Sequence, residues 1–166
     1  RRLAFSPLLV ACSSSNDARG VSMVLTFDVP LPVKAVSLWQ PWAYAITTLG
    51  KDVENRVWST DYRGVLLIHA SQRWDPRAYA GLIEAGLDLP PPEGLERGGF
   101  VGACRVVDCV TASDSPWFDG PFGFVLRDAR PLPFTRYAGQ RQLFDVPEAV
   151  WEPLFVHMDG LFSWHS

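Results

Sequence analysis

Lys51, Glu54 and Arg56 stand close together in the chain and bring three kinds of chemistry. A desolvated lysine can lose its proton and act as a base or nucleophile, a carboxylate can take a proton from water, and a guanidinium neutralises an oxyanion or a phosphate. One use is hydrolysis, with Glu54 as general base on water and Lys51 and Arg56 stabilising developing negative charge. A ribonuclease would instead use Glu54 or Lys51 to activate a ribose hydroxyl and Arg56 to hold the phosphate. His69 is a candidate partner there, although a histidine in an apolar strand is more often a hydrogen-bonded core residue. A binding module needs only an electropositive, partly aromatic cleft, which Gln40, Trp42, Arg56, Tyr62, Arg63 and Trp74 are the candidates to furnish. Plainer roles stand beside these: Trp42 as core, Gln40 as a helix cap, and Glu54 with Arg56 as a structural ion pair.

The elements that must position this trio are legible. Pro41 opens a helix whose stripe, Trp42, Ala45, Ile46 and Leu49, faces a core, and Gly50 ends it. Lys51 then emerges at a helix end, and a strand from Val53 puts Glu54 and Arg56 on one face about 7 Å apart. A strand over 34–39 precedes the helix. Asp61 to Gly64 makes a turn, and Val65 to Ala70 is an apolar run expected to be buried on both faces. Asp75 and Pro76 open a second helix with a cap and a first-turn proline, Trp74 and Tyr79 forming a hydrophobic staple, and it ends near Gly86. A loop rich in proline and glycine, 90–99, suits a flap. Strands are expected over 100–111, with Gly102 marking a bulge or close backbone approach, then over 122–126 and 142–146. Loop 115–121 between them carries Trp117 and Phe118, which suit lining a cleft or plugging a barrel end, and a short helix over 147–154 follows the last strand. Strands outnumber helices about six to three, so the expected class is α+β, a small β-barrel with about three peripheral helices.

The 166 residues, 48% hydrophobic, suit one core. A disordered leader or a non-native extension is expected over 1–29, the domain over 30–155 and a tail over 156–166. A net charge of -3 excludes a protein that coats nucleic acid by bulk electrostatics, so any such contact must be local. Lys34 and Lys51 are the only lysines among many arginines. Cys104 and Cys109 should point to opposite faces of one strand about 16 Å apart, too far to bridge. With no CxxC pair or clustered histidines, neither a structural metal nor a cofactor is expected. No segment is long enough to span a membrane, and the expected location is the cytoplasm. A minor alternative is a lipoprotein-like leader with Cys12 as its anchor, although its apolar run is broken by Ser6 and Pro7; Met23 is the expected start.

These residues resemble the ASCH domain, a member of the PUA-like superfamily of small barrels associated with RNA. That family's pattern of glycine, any residue, lysine, two residues, glutamate, one residue and arginine is matched by Lys51, Glu54 and Arg56. The glycine departs, with Leu49 in its place and Gly50 one position later. Ser37 to Ala43, Leu67 to Ala70 followed by Arg73 and Trp74, Gly99 to Ala103, and Leu143 to Pro147 resemble, in order, one branch of the family, that of the endothelial-overexpressed lipopolysaccharide-associated factors. The resemblance implies a PUA-like barrel that binds RNA or a modified nucleoside in a cleft built around the motif, non-catalytic or weakly hydrolytic. The alternative it implies is a hydrolase, acting on acetylated cytidine or on RNA through Lys51 and Glu54. In the small amidohydrolases of the superfamily a threonine stands three residues after the lysine, where this chain has Glu54.

Overall fold

The computed structural model describes residues 32–158, apart from the side chain of residue 155, and two earlier strands as backbone. Those strands, β1 (Phe5–Ala11) and β2 (Val24–Pro30), pair antiparallel, Phe5 opposite Pro30 and Ala11 opposite Val24. The rest of the expected leader, Cys12 and Met23 included, and the tail beyond 158 lie outside the described residues.

The chain continues with β3 (Lys34–Gln40), α1 (Trp42–Thr48), β4 (Val53–Arg56), β5 (Gly64–Trp74), α2 (Pro76–Glu84), β6 (Gly99–Val110), β7 (Phe122–Arg136), β8 (Leu143–Asp145) and α3 (Glu148–Trp151), which tightens into a 3-10 turn at Glu152–His157. Strands β4, β7, β6, β5, β3 and β8 form one sheet in that order, parallel only at β3 and β5. This is the expected α+β class with a barrel-like sheet, but the ladder does not close, because its edge strands are short. β8 covers β3 only at Lys34, Ala35 and Val36, leaving the second half of β3 as a free edge. There Arg56 Nη2, from β4 at the opposite edge, donates to the Ser37 carbonyl at 3.3 Å. A side chain bridges the seam where backbone pairing stops.

β5 is buried on both faces from Gly64 to Ala70, as its apolar run requires, and emerges beyond. Val65 and Leu67 pack with Phe100, Phe144 and Trp151, while Leu66 and Ile68 pack with Ile46, Phe124 and Leu126. α1 seats Ala43 and Ile46 in the second cluster, and α3 with its 3-10 turn covers the first through Trp151 and Leu154. Asp75 caps α2 by accepting from the Arg77 and Ala78 amides at 3.0 Å each, and Trp74 meets Tyr79 edge to face with centroids 5.9 Å apart. No helix among the described residues is long and apolar enough to cross a membrane.

Three expectations change. β7 runs on to Arg136, past Pro131 and Pro133; prolines argue against a strand, but β4 pairs only with Phe122 to Val125, so these lie on a free edge where no amide is needed. Loop 90–99, expected as a flap, is pinned by buried Leu89 and Leu95 and by Gln40 Nε2, which donates to the Glu96 carbonyl at 2.9 Å. Cys104 and Cys109, both free thiols, lie against the same core cluster rather than on opposite faces, because a register shift between Val106 and Asp108 resets the strand's alternation.

Gly102 is both a bulge and a close approach. The β6 to β7 register slips between Phe100 and Gly102, and a Cβ at 102 would overlap Thr47 Cγ2 of α1 and come within 2.6 Å of the Arg130 carbonyl. Gly102→Ala is therefore expected to destabilise the fold by about 1–3 kcal/mol through overpacking, read as a lower urea midpoint. An unchanged midpoint would show that α1 can back away from β6.

Candidate functional site

The helix-to-strand turn at Gly50, with φ of +77°, swings Lys51 back beneath α1. Lys51 is only 3% exposed and Glu54 8%. Glu54 stands between two cations, with Lys51 Nζ 3.4 Å from one carboxylate oxygen and Arg56 Nη2 3.4 Å from the other. Lys51 Nζ also donates to the Val53 carbonyl and lies 5.8 Å from the Trp42 ring centroid and 5.9 Å from that of Trp117. Burial holds the Lys51 pKa below the usual lysine value, against the opposing pull of Glu54. A cavity of about 400 Å³ reaches Lys51 from the side of Thr47, Thr48 and Asp128.

Loop 115–121 covers this trio as a plug. Asn55 Nδ2 donates to the Trp117 carbonyl at 2.8 Å and Asn55 Oδ1 accepts from the Asp119 amide at 2.8 Å, while Ser115 Oγ donates to Asp52 at 2.6 Å. Phe118 fills the space beside Gly123, where a Cβ would come within 2.8 Å of its ring.

A much larger cleft, about 1020 Å³, opens on the other side of the seam. Ser37 and Trp39 of β3, His69, Ser71 and Arg73 of β5, Arg136 at the end of β7, and Tyr137 to Arg141 of the next loop line it. Arg73, Arg136 and Arg141 are exposed, and no carboxylate lines the cleft. Among the described residues the ion pairs involve other cations, so these three guanidiniums are uncompensated. Trp39 is 46% exposed, with Arg73 over its ring at 5.6 Å.

At the floor of this cleft His69, 2% exposed, has ring contacts with Phe100 and Phe144. Its Nε2 lies 2.9 Å from the Tyr137 carbonyl and its Nδ1 3.1 Å from Ser37 Oγ. A carbonyl can only accept, so in the neutral ring Nε2 carries the hydrogen and Nδ1 presents a lone pair to the serine hydroxyl. Burial lowers the His69 pKa, against the Tyr137 hydrogen bond, which raises it.

Of the residues expected to form one site, Lys51, Glu54, Arg56 and Trp42 come together, and His69 alone of the others lines the large cleft. Gln40 is buried and caps α1, its Oε1 accepting from the Tyr44 amide at 3.0 Å. Tyr62 donates to the Val65 carbonyl at 2.5 Å, and burial raises its pKa. Arg63 pairs with Asp108 at 3.0 Å, and Trp74 packs on α2. Trp39, Arg73, Arg136 and Arg141 were not singled out as site residues by type or spacing; the signals for them were Trp39 at an outward position of β3 and two arginines flanking Gly139. Among the described residues no group of three or more His, Cys, Asp or Glu could hold a metal ion.

Glu54→Gln would leave Lys51 and Arg56 facing each other with no anion between them. The expected cost is about 3–5 kcal/mol in urea unfolding, with most of it recovered by adding Lys51→Met. A strictly additive double variant would show that the trio is not coupled.

A family model described as the ASCH domain matches residues 36–145. Among solved structures, the crystal structure of ASCH from Zymomonas mobilis aligns at a TM-score of 0.49 and 16% identity, covering 75% of this chain and 94% of that one. A tyrosine-to-phenylalanine mutant of the same protein aligns at 0.48 and 16% identity, covering 75% and 97%. Its serine-to-alanine mutant aligns at 0.47 and 16% identity, covering 76% and 96%. No curated protein matches the chain. The family match spans most of the chain, from β3 through β8, and takes in the motif and the arginine cleft alike: the chain belongs to the ASCH domain family.

Proposed function

We propose that this ASCH-domain protein binds single-stranded RNA in the arginine-lined cleft, a base stacking at Trp39 and phosphates meeting Arg73, Arg136 and Arg141. The observation that carries this reading is the charge: three guanidiniums without an ion pair among the described residues around an exposed tryptophan, with no lining carboxylate, in a chain whose net charge is -3. Guanidiniums match phosphate oxygens in bidentate geometry, and an exposed indole offers any base a face. In this reading the Lys51, Glu54 and Arg56 trio sits behind the cleft and fixes β4 against β3, rather than touching the strand of RNA.

Trp39→Ala is expected to weaken binding of a short single-stranded RNA by about 1–3 kcal/mol, measured by fluorescence anisotropy. Arg136→Gln with Arg141→Gln should weaken it for every sequence and flatten the plot of log affinity against log salt by about 0.7 for each phosphate no longer neutralised. Unchanged affinity and slope in these variants would rule out this cleft as the RNA site.

One observation favours a second reading, hydrolysis of an acetylated cytidine. Lys51, with its lowered pKa beside Glu54, borders a cavity of about 400 Å³ of its own. Turnover of acetylated cytidine by the wild type, lost in Lys51→Ala and unaffected by Trp39→Ala, would establish it. Absence of turnover by the folded wild type would remove it.

A further inference from the structure

We propose that Ser37 and His69 are a nucleophile and base pair for acyl transfer, acting on carboxylic esters of nucleotides bound in the arginine cleft. The trio bonds only the Ser37 carbonyl and uses neither side chain, and nothing in the RNA-binding reading requires them. A serine becomes nucleophilic when a base accepts its proton and a third group orients that base. All three parts are present: Ser37 Oγ stands 3.1 Å from His69 Nδ1, and the Tyr137 carbonyl, 2.9 Å from Nε2, fixes the tautomer that leaves Nδ1 free to accept. Burial lowers the His69 pKa, which favours the free base at neutral pH. Arg56, bonded to the Ser37 carbonyl, holds the nucleophile's backbone.

Position and charge suit a substrate. Both side chains line the cleft rather than a sealed core. Gly139 passes over them so closely that a Cβ there would stand 2.5 Å from both Ser37 Oγ and His69 Cε1, so this loop packs onto the pair and must draw back for a carbonyl to reach Oγ. The arginines lining the same cleft favour an anionic substrate, whose phosphate they would hold. The choice of a nucleotide ester rests on the RNA-binding reading; the dyad does not.

The chemistry balances with water as the second reactant. Ser37 Oγ bonds to the ester carbonyl carbon as its proton passes to His69 Nδ1. The adduct collapses by breaking the bond to the ribose oxygen, which leaves as a hydroxyl with the proton from His69. Water then attacks acyl-Ser37, giving its proton to Nδ1, and the carbon to Oγ bond breaks as that proton returns to Oγ, releasing the carboxylic acid.

The test uses the full chain with a nucleoside monophosphate acetylated on its ribose, following acetate release, the acetylated protein by intact mass, and labelling by a fluorophosphonate probe. Acetate release and a probe adduct mapped to Ser37 are expected, with Ser37→Ala slower by about 10³-fold or more yet still binding RNA. Gly139→Ala would press a methyl against Ser37 Oγ and the His69 ring and should slow acetylation by displacing the pair. The proposal is overturned if folded wild type gives neither acetate nor adduct, or if Ser37→Ala keeps the wild-type rate. RNA binding without acetate release would overturn it while leaving the binding reading intact, and acetate release without RNA binding would uphold the dyad and remove the binding reading.

Discussion

Among the described residues, the Arg56 guanidinium bridges the seam of this sheet. β8 stops pairing after three residues of β3, β4 is too short to reach around, and Arg56 bridges the gap to the Ser37 carbonyl. Glu54 fixes Arg56 from behind and is itself held by Lys51, so the seam depends on a chain of charges running back under α1. Such a chain is stable only if complete, since a nearly buried cation without its anion is strongly penalised. The turn at Gly50, the plug of Trp117 and Phe118, and the α1 stop all set the position of Lys51.

The same gap opens the cleft. Because the second half of β3 has no backbone neighbour on its outer side, Ser37 and Trp39 face the volume between β5 and the loop after β7. The long β7 delivers Arg136 to the rim, and the loop brings Arg141 and lays Gly139 over His69. The clasp and the cleft thus meet at one residue: Ser37 gives its carbonyl to Arg56 and its hydroxyl to His69.

The fold was legible where local patterning and burial agree. The two-sided apolar run of β5, the Asp75 cap and the glycine at 102 each state their role in their residue types. The site was half legible. Types and spacing locate the trio, but whether a charged side chain faces a ligand or spans a seam depends on which strands fail to pair, a property of the whole sheet. Arg73, Arg136 and Arg141 come from β5, the end of β7 and a loop, so no local spacing unites them, and Pro131 and Pro133 conceal the strand that carries Arg136. The alternation expected for Cys104 and Cys109 failed at a bulge, which shifts register without a mark in the apolar pattern.

The central claim is that RNA meets the arginine cleft while the trio behind it holds the seam. Side-chain NMR of the full chain titrated with a short single-stranded RNA tests it directly. The account predicts that the Trp39 indole N–H and the guanidinium signals of Arg73, Arg136 and Arg141 shift and saturate together, while the Lys51 ammonium and the Trp42 and Trp117 indoles stay in place. Saturable shifts confined to Lys51, Trp42 and Trp117, with Trp39 and the three arginines unmoved, would contradict it.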